Sequence, residues 1–143
     1  MGTEKTIGYI YGLRGEPRPD QERFKALLSA LGDPHRAFCS VHVAGTNGKG
    51  STCAFLASIL AAHGKKTGLY TSPYLERFNE RMQIGGAPIG DDELTRAVER
   101  VRAAAEAIES AHGAIRPYEA ITAAAFWWFA RNGVETAVIE TGL

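Results

Sequence analysis

Apolar positions recur along the chain at two spacings, and the changes from one spacing to the other mark out its elements. Ile7, Ile10, Tyr11 and Leu13 recur at helical intervals and predict a short helix over residues 6–13. Residues 15–19, with two prolines, break it. Asp20 opens a second helix with Phe24, Leu27, Leu28 and Leu31 on one stripe and Gly32 as its stop. Asp33-Pro34 reads as a turn, and residues 38–44 as a strand entering a glycine-rich loop. A helix over 51–63 follows, with Phe55, Leu56, Ile59 and Leu60 apolar and Gly64 closing it, and then a short strand over 67–70.

The second half repeats the alternation. Residues 71–81 form a polar loop, and 82–89 alternate around Gly85-Gly86 like a small hairpin. Gly90 or Asp91 caps a long helix to His112, on which Leu94, Val98, Val101, Ala105 and Ile108 share a face. A linker leads to a helix over 118–131, Gly133 ends it, and 134–140 form a third strand. Strands alternating with helices predict an α/β, three-layer fold: a mainly parallel sheet with helices on both faces and a phosphate loop after the first strand. Ligands of such sheets bind beyond the carboxyl ends of the strands. All three strands end in polar chemistry there: Gly45 to Ser51, then Thr71-Ser72-Pro73, then Glu140-Thr141-Gly142.

Composition narrows the classes. The 143 residues can bury one ordinary core. Sixteen basic and sixteen acidic residues cancel, so no electrostatic case arises for nucleic acid or an anionic membrane. No apolar run approaches the roughly 20 residues that cross a bilayer, and the first residues lack the apolar core of a signal peptide. Cys39 and Cys53 lack disulfide-framework or metal-ligand spacing and are expected to be small buried hydrophobes. The cytoplasm is the expected compartment. The chain stops where an apolar strand runs into a turn, which reads as an architecture cut midway.

The loop carries the clearest chemistry. Gly45, Gly48 and Gly50 let Thr46, Asn47 and their neighbours turn backbone N–H groups inward into an anion nest. The following helix adds the positive end of its dipole. Lys49 brings a full charge, and Ser51 and Thr52 offer hydroxyls to a phosphate or to magnesium. The stretch departs from the usual G-x-x-x-x-G-K-[ST] pattern in two places: Val43 stands at the first glycine, and Gly50 separates Lys49 from Ser51.

Gly45-Thr46-Asn47-Gly48-Lys49-Gly50-Ser51 resembles the phosphate loop of the folylpolyglutamate synthase and dihydrofolate synthase branch of the Mur ligase superfamily. Cell-wall Mur ligases typically carry threonine where this chain has Gly50. The likeness continues, in order, through residues 70–75, 77–82, 118–126 and 138–143. It implies a Mur-ligase-like central domain that binds ATP through Thr46, Asn47, Gly48, Lys49, Gly50 and Ser51, with Lys49 catalytic. It also implies Mg2+ held by Ser72 and Glu140, a donor set suited to a hard cation. Arg116-Pro117-Tyr118-Glu119 aligns with a segment that contacts the pterin-bearing substrate in relatives. Tyr118 reads equally as a ring that stacks on a flat heteroaromatic or as an aromatic helix-start residue in the core.

The implied activity is ATP-dependent addition of L-glutamate to dihydropteroate or a folate through an acyl phosphate, by a monomer needing neither nucleic acid nor membrane. Residues 1–143 would then be the N-terminal part of the ATP-binding domain, without its remainder, the second-metal ligand or the C-terminal glutamate-binding domain. Alone they are expected not to complete the ligation. A non-catalytic nucleotide-binding module, a cell-wall Mur-type ligase and a P-loop kinase of another kind are the rival readings. The charges of Asn79-Glu80-Arg81 are expected to order their loop by pairing. Phe126, Trp127, Trp128 and Phe129 read as helix core, His42 as a core residue of the first strand, and His35, His63 and His112 as helix-end or loop residues.

Overall fold

The computed structural model describes residues 2–15, 20–74 and 76–142. Most of the predicted break at 15–19, and Leu75 and Leu143 of the family-like blocks, lie outside the described residues. From the N-terminus the elements are helices α1 (Thr3–Gly12) and α2 (Gln21–Ala30), strand β1 (Cys39–Val43), helix α3 (Lys49–Ala62) and strand β2 (Thr67–Tyr70). Strands β3 (Met82–Ile84) and β4 (Ala87–Pro88), helices α4 (Asp91–His112) and α5 (Pro117–Arg131), and strand β5 (Thr136–Glu140) follow. The elements divide into two compact units, one of Met1–His35 with Asp91–Trp128 and one of Arg36–Gly90 with Phe129–Leu143.

The first unit is helical. Both α1 and α2 pack on α4, whose predicted stripe is buried at Leu94, Val98, Val101 and Ala105 and half-buried at Ile108. The Thr6 and Thr95 hydroxyls meet at 3.1 Å inside it, so two buried polar groups satisfy one another. Asp20 caps α2 by accepting from Glu22 N and Arg23 N. The stripe of α2 differs from expectation at one place. Arg23, one turn before Leu27, is the fully buried residue, and Phe24 is only half-buried.

The second unit holds one sheet in the order β1-β5-β2-β3-β4. β5 lies parallel between β1 and β2, with Val138 opposite Val41 on one side and Leu69 on the other. The predicted hairpin forms as β3 and β4 and extends the sheet, β3 running antiparallel to β2. α3 packs against β5 and β2 on one face. On the other face Phe129, at the C-terminal end of α5, covers β2: a Cβ built on Gly68 would come within 3.0–3.1 Å of three of its ring atoms. The expected α/β sheet with helical cover on both faces is therefore present.

Two expectations about burial change. Cys53 is buried, but Cys39 is exposed, and His42 is exposed rather than a core residue. The reason is shared: among the described residues β1 is an edge strand, bonded only to β5. On α3, Phe55 and Ile59 are 70% and 55% exposed. That helix is apolar around most of its circumference, and the sheet can cover only one side of it. Phe126, Trp128 and Phe129 are buried as predicted, with Trp127 half-buried.

Candidate functional site

α3 begins at Lys49, two residues earlier than its apolar pattern indicates, because Gly50 is accommodated within the first helical turn. Its N-cap is Gly48, in the left-handed region at φ 75°, a conformation that glycine adopts without Cβ strain. No side chain caps this end. The first N–H groups of the helix lack intrahelical acceptors and point, with the dipole, toward the exposed loop 44–48. Lys49 Nζ donates to Gly45 O at 2.9 Å, so the ammonium crosses the loop. The loop is also tied to the strand end beside it: Thr141 donates to Val43 O from its backbone N at 3.0 Å and from its hydroxyl at 3.2 Å.

Glu140 ends β5 between the two parallel neighbours. It is 5% exposed, so this strand end is not at the surface. Its Oε2 accepts from Ser72 N at 3.2 Å, and a Cβ placed on Gly50 would lie 4.0 Å from the same oxygen. The tertiary structure thus brings Gly50, Ser72 and Glu140 together. Among the described residues no lysine, arginine or histidine pairs with Glu140. A buried carboxylate without a cationic partner is costly, and its field reaches Cys53. Burial first, and then the Glu140 charge, push the Cys53 thiol above its ordinary pKa.

This donor set suits magnesium in kind. Among the described residues no cluster of three or more His, Cys, Asp or Glu side chains could cage a metal. One carboxylate with nearby hydroxyl oxygen is what magnesium takes from a protein when phosphates and waters fill its other positions. Ser72 and Glu140 could supply such donors, and Ser51 stands on the first turn of α3 with its side chain exposed.

The segment 116–119 lies in the helical unit. Arg116 is the residue before α5, Pro117 its first helical residue, and Glu119 reaches back to accept from Arg116 N at 2.8 Å. Tyr118 is 45% exposed, so of its two readings the core one is set aside. With Asp20, Gln21, Phe24 and Glu119 it lines an open cavity of about 190 Å³. Arg23 escapes notice in the sequence although it grips Glu119 through Nε, at 3.2 and 3.1 Å from the two carboxylate oxygens, and through Nη2 at 2.9 Å. The available signal is a charged residue one turn before Leu27 on an otherwise apolar stripe. The Glu80 carboxylate orders loop 76–81, but through the backbone N–H groups of Glu76 and Arg77 rather than through Arg81. Arg81 instead stacks on Phe78 at 5.7 Å.

No protein-family model matches the chain. Individual relatives do. It is 42% identical to folylpolyglutamate synthase of Lacticaseibacillus casei over 146 residues, covering 100% of this chain and 34% of that protein. It is 41% identical to the dihydrofolate synthase/folylpolyglutamate synthase of Bacillus subtilis, covering 94% and 32%. In fold it matches the Lactobacillus casei folylpolyglutamate synthetase structure at a TM-score of 0.93, with 42% identity over 99% of this chain and 36% of that one. E. coli FolC in complex with DHPP and ADP matches at 0.89, with 30% identity over 100% and 34%. The chain spans about a third of the length of these relatives. A phosphate loop with glycine at position 50, a serine and a buried glutamate meeting beside it, and these likenesses in sequence and fold agree: the chain belongs to the folylpolyglutamate and dihydrofolate synthase family.

Proposed function

We propose that the full-length protein is an ATP-dependent ligase that joins L-glutamate to dihydropteroate, to a folate, or to both, and that residues 1–143 supply its ATP and magnesium site. The observation that carries this reading is the convergence at the strand ends. A helix N-terminus without a side-chain cap, Lys49, Ser72 and a buried Glu140 that has no basic partner among the described residues lie at the end of one exposed loop. The relatives support ATP and a folate as substrates, since one solved neighbour, 42% identical at a TM-score of 0.92, is a complex with AMPPCP and folate.

In this mechanism the acceptor carboxylate attacks the γ-phosphorus of ATP, ADP leaves, and an acyl phosphate forms. The glutamate nitrogen then attacks the acyl carbon, inorganic phosphate departs, and the nitrogen gives up a proton to complete the amide. Phosphoryl transfer needs positioning and charge neutralisation more than covalent help. The N–H groups of Thr46 to Ser51 would cradle the triphosphate. Lys49 would exchange its Gly45 carbonyl for phosphate oxygen and neutralise charge as it develops. Ser72 and Glu140 would hold magnesium, which would supply further neutralisation of the phosphates. Tyr118, with Arg116, Pro117 and Glu119, would take the ring-bearing acceptor, Tyr118 offering an exposed aromatic face. A monomer in the cytoplasm completes the reading.

Lys49→Ala in the full-length protein should lower kcat by roughly a hundredfold while changing stability by less than about 0.5 kcal/mol, because its bond to Gly45 O is exposed. Equal losses of turnover and stability would remove the catalytic role. The function itself is tested by a coupled ADP-release assay of the full-length protein with dihydropteroate, tetrahydrofolate and a muramyl nucleotide. Turnover on either pterin compound sustains the proposal. Turnover on the muramyl nucleotide alone makes the protein a cell-wall ligase, and ATP binding without any turnover makes it a nucleotide-binding module.

A further inference from the structure

We infer that Arg23 and Glu119 form a positioning clamp that sets the acceptor pocket, a role that rests on the pocket reading given above for Tyr118. The cavity of about 190 Å³ has walls from two helix beginnings, Asp20, Gln21 and Phe24 on α2 and Tyr118 and Glu119 on α5. Each wall is held by a residue adjacent to one that lines it. Arg23 precedes Phe24 and is 1% exposed. Glu119 follows Tyr118 and is 8% exposed.

The geometry is that of a planar fork. Arg23 Nε and Nη2 both reach the Glu119 carboxylate, the shortest approach being 2.9 Å, an arrangement lysine cannot reproduce. The same carboxylate accepts the Arg116 N–H at 2.8 Å, which fixes the first turn of α5 and with it the direction of Tyr118. On the other side Asp20 accepts from Arg23 N at 3.2 Å and caps α2. Backbone and side chain of Arg23 are therefore both fixed, and one network runs from the cap of α2 to the start of α5. A buried ion pair is weak evidence for stability, because desolvation offsets its attraction, whereas its directional bonds hold a fixed geometry. What this pair determines is the distance and angle between the Phe24 and Tyr118 rings.

The test measures separate KM values for the acceptor (dihydropteroate or tetrahydrofolate, whichever the full-length protein uses) and for ATP, with kcat and thermal midpoint alongside. Arg23→Lys keeps the charge and gives up the fork; it should raise acceptor KM about tenfold and leave ATP KM within about twofold. Glu119→Gln keeps an acceptor for Arg116 N–H and should raise acceptor KM less than Glu119→Ala does, and this conservative variant carries the test if the Arg23 variant does not fold. Acceptor KM unchanged in Arg23→Lys, or acceptor and ATP KM rising together with a falling thermal midpoint, would overturn the clamp. Tyr118→Ala separates the two ideas. If it leaves acceptor KM unchanged, the pocket reading fails and the clamp with it. If it raises acceptor KM while Arg23→Lys and Glu119→Gln do not, only the clamp fails.

Discussion

Glu140 shows what one residue's surroundings can add to its type. The sequence places a carboxylate at a strand end, and the fold buries it beside Ser72 N without a cation among the described residues. The effect on Cys53 offers a test. That thiol is raised first by burial and then by the Glu140 charge, so it stays protonated where an ordinary thiol, near pKa 8.5, would ionise. A raised folded-state pKa contributes stability that is fully present below the unfolded value and is lost as pH rises through the folded one. In Glu140→Gln the Cys53 thiolate should form at lower pH, read by thiolate absorbance in a Cys39→Ser background. An unchanged midpoint would mean that the two groups do not sense each other. The same variant should also lower turnover of the full-length protein by roughly a hundredfold. At this scale Ser72, Glu140 and Lys49 are legible as residue types at strand ends. Arg23 is legible only as a charge on an apolar stripe, because its partner carboxylate lies 96 positions away.

Elements were more legible than their partners. The predicted helices and strands all form, since each follows from spacing and stop residues within a dozen positions. Two details escape such reasoning. The 3₁₀ turn at Phe78–Arg81 forms inside what reads as a polar loop, held by bonds from Asn79 Nδ2 to Ile89 O at 2.7 Å and from Thr71 N to Arg81 O at 3.0 Å. The hairpin's attachment to β2 likewise depends on pairing Gly68 with Ile84 and Tyr70 with Met82. A packing test belongs here. Gly68→Ala puts a methyl within 3.0–3.1 Å of the Phe129 ring and should cost about 1–3 kcal/mol by overpacking, measured by denaturant unfolding. Phe129→Leu in the same chain should restore part of the loss, and a neutral Gly68→Ala would mean that the ring moves aside freely.

For the whole molecule, the chain corresponds to about a third of its relatives' length. Residues 1–143 alone should accordingly show no glutamate-dependent ADP release, and purified 1–143 with dihydropteroate or tetrahydrofolate, ATP and glutamate is the check. ATP with magnesium should nevertheless stabilise them, by about 2.7 kcal/mol at a hundred times its dissociation constant; no thermal shift would argue against a preformed nucleotide site. The sequence by itself determined the alternation of elements, the phosphate loop and the family, because these depend on local periodicity, glycine placement and ordered motifs. Only the tertiary structure decided that Phe24 yields the core to Arg23, that Tyr118 is exposed, and that Glu140 is buried against Ser72 N. Those outcomes depend on which surfaces meet across 68 to 96 residues of chain. These departures from the apolar pattern, and the charge pairing, belong to the neighbours a fold supplies, which local spacing does not contain.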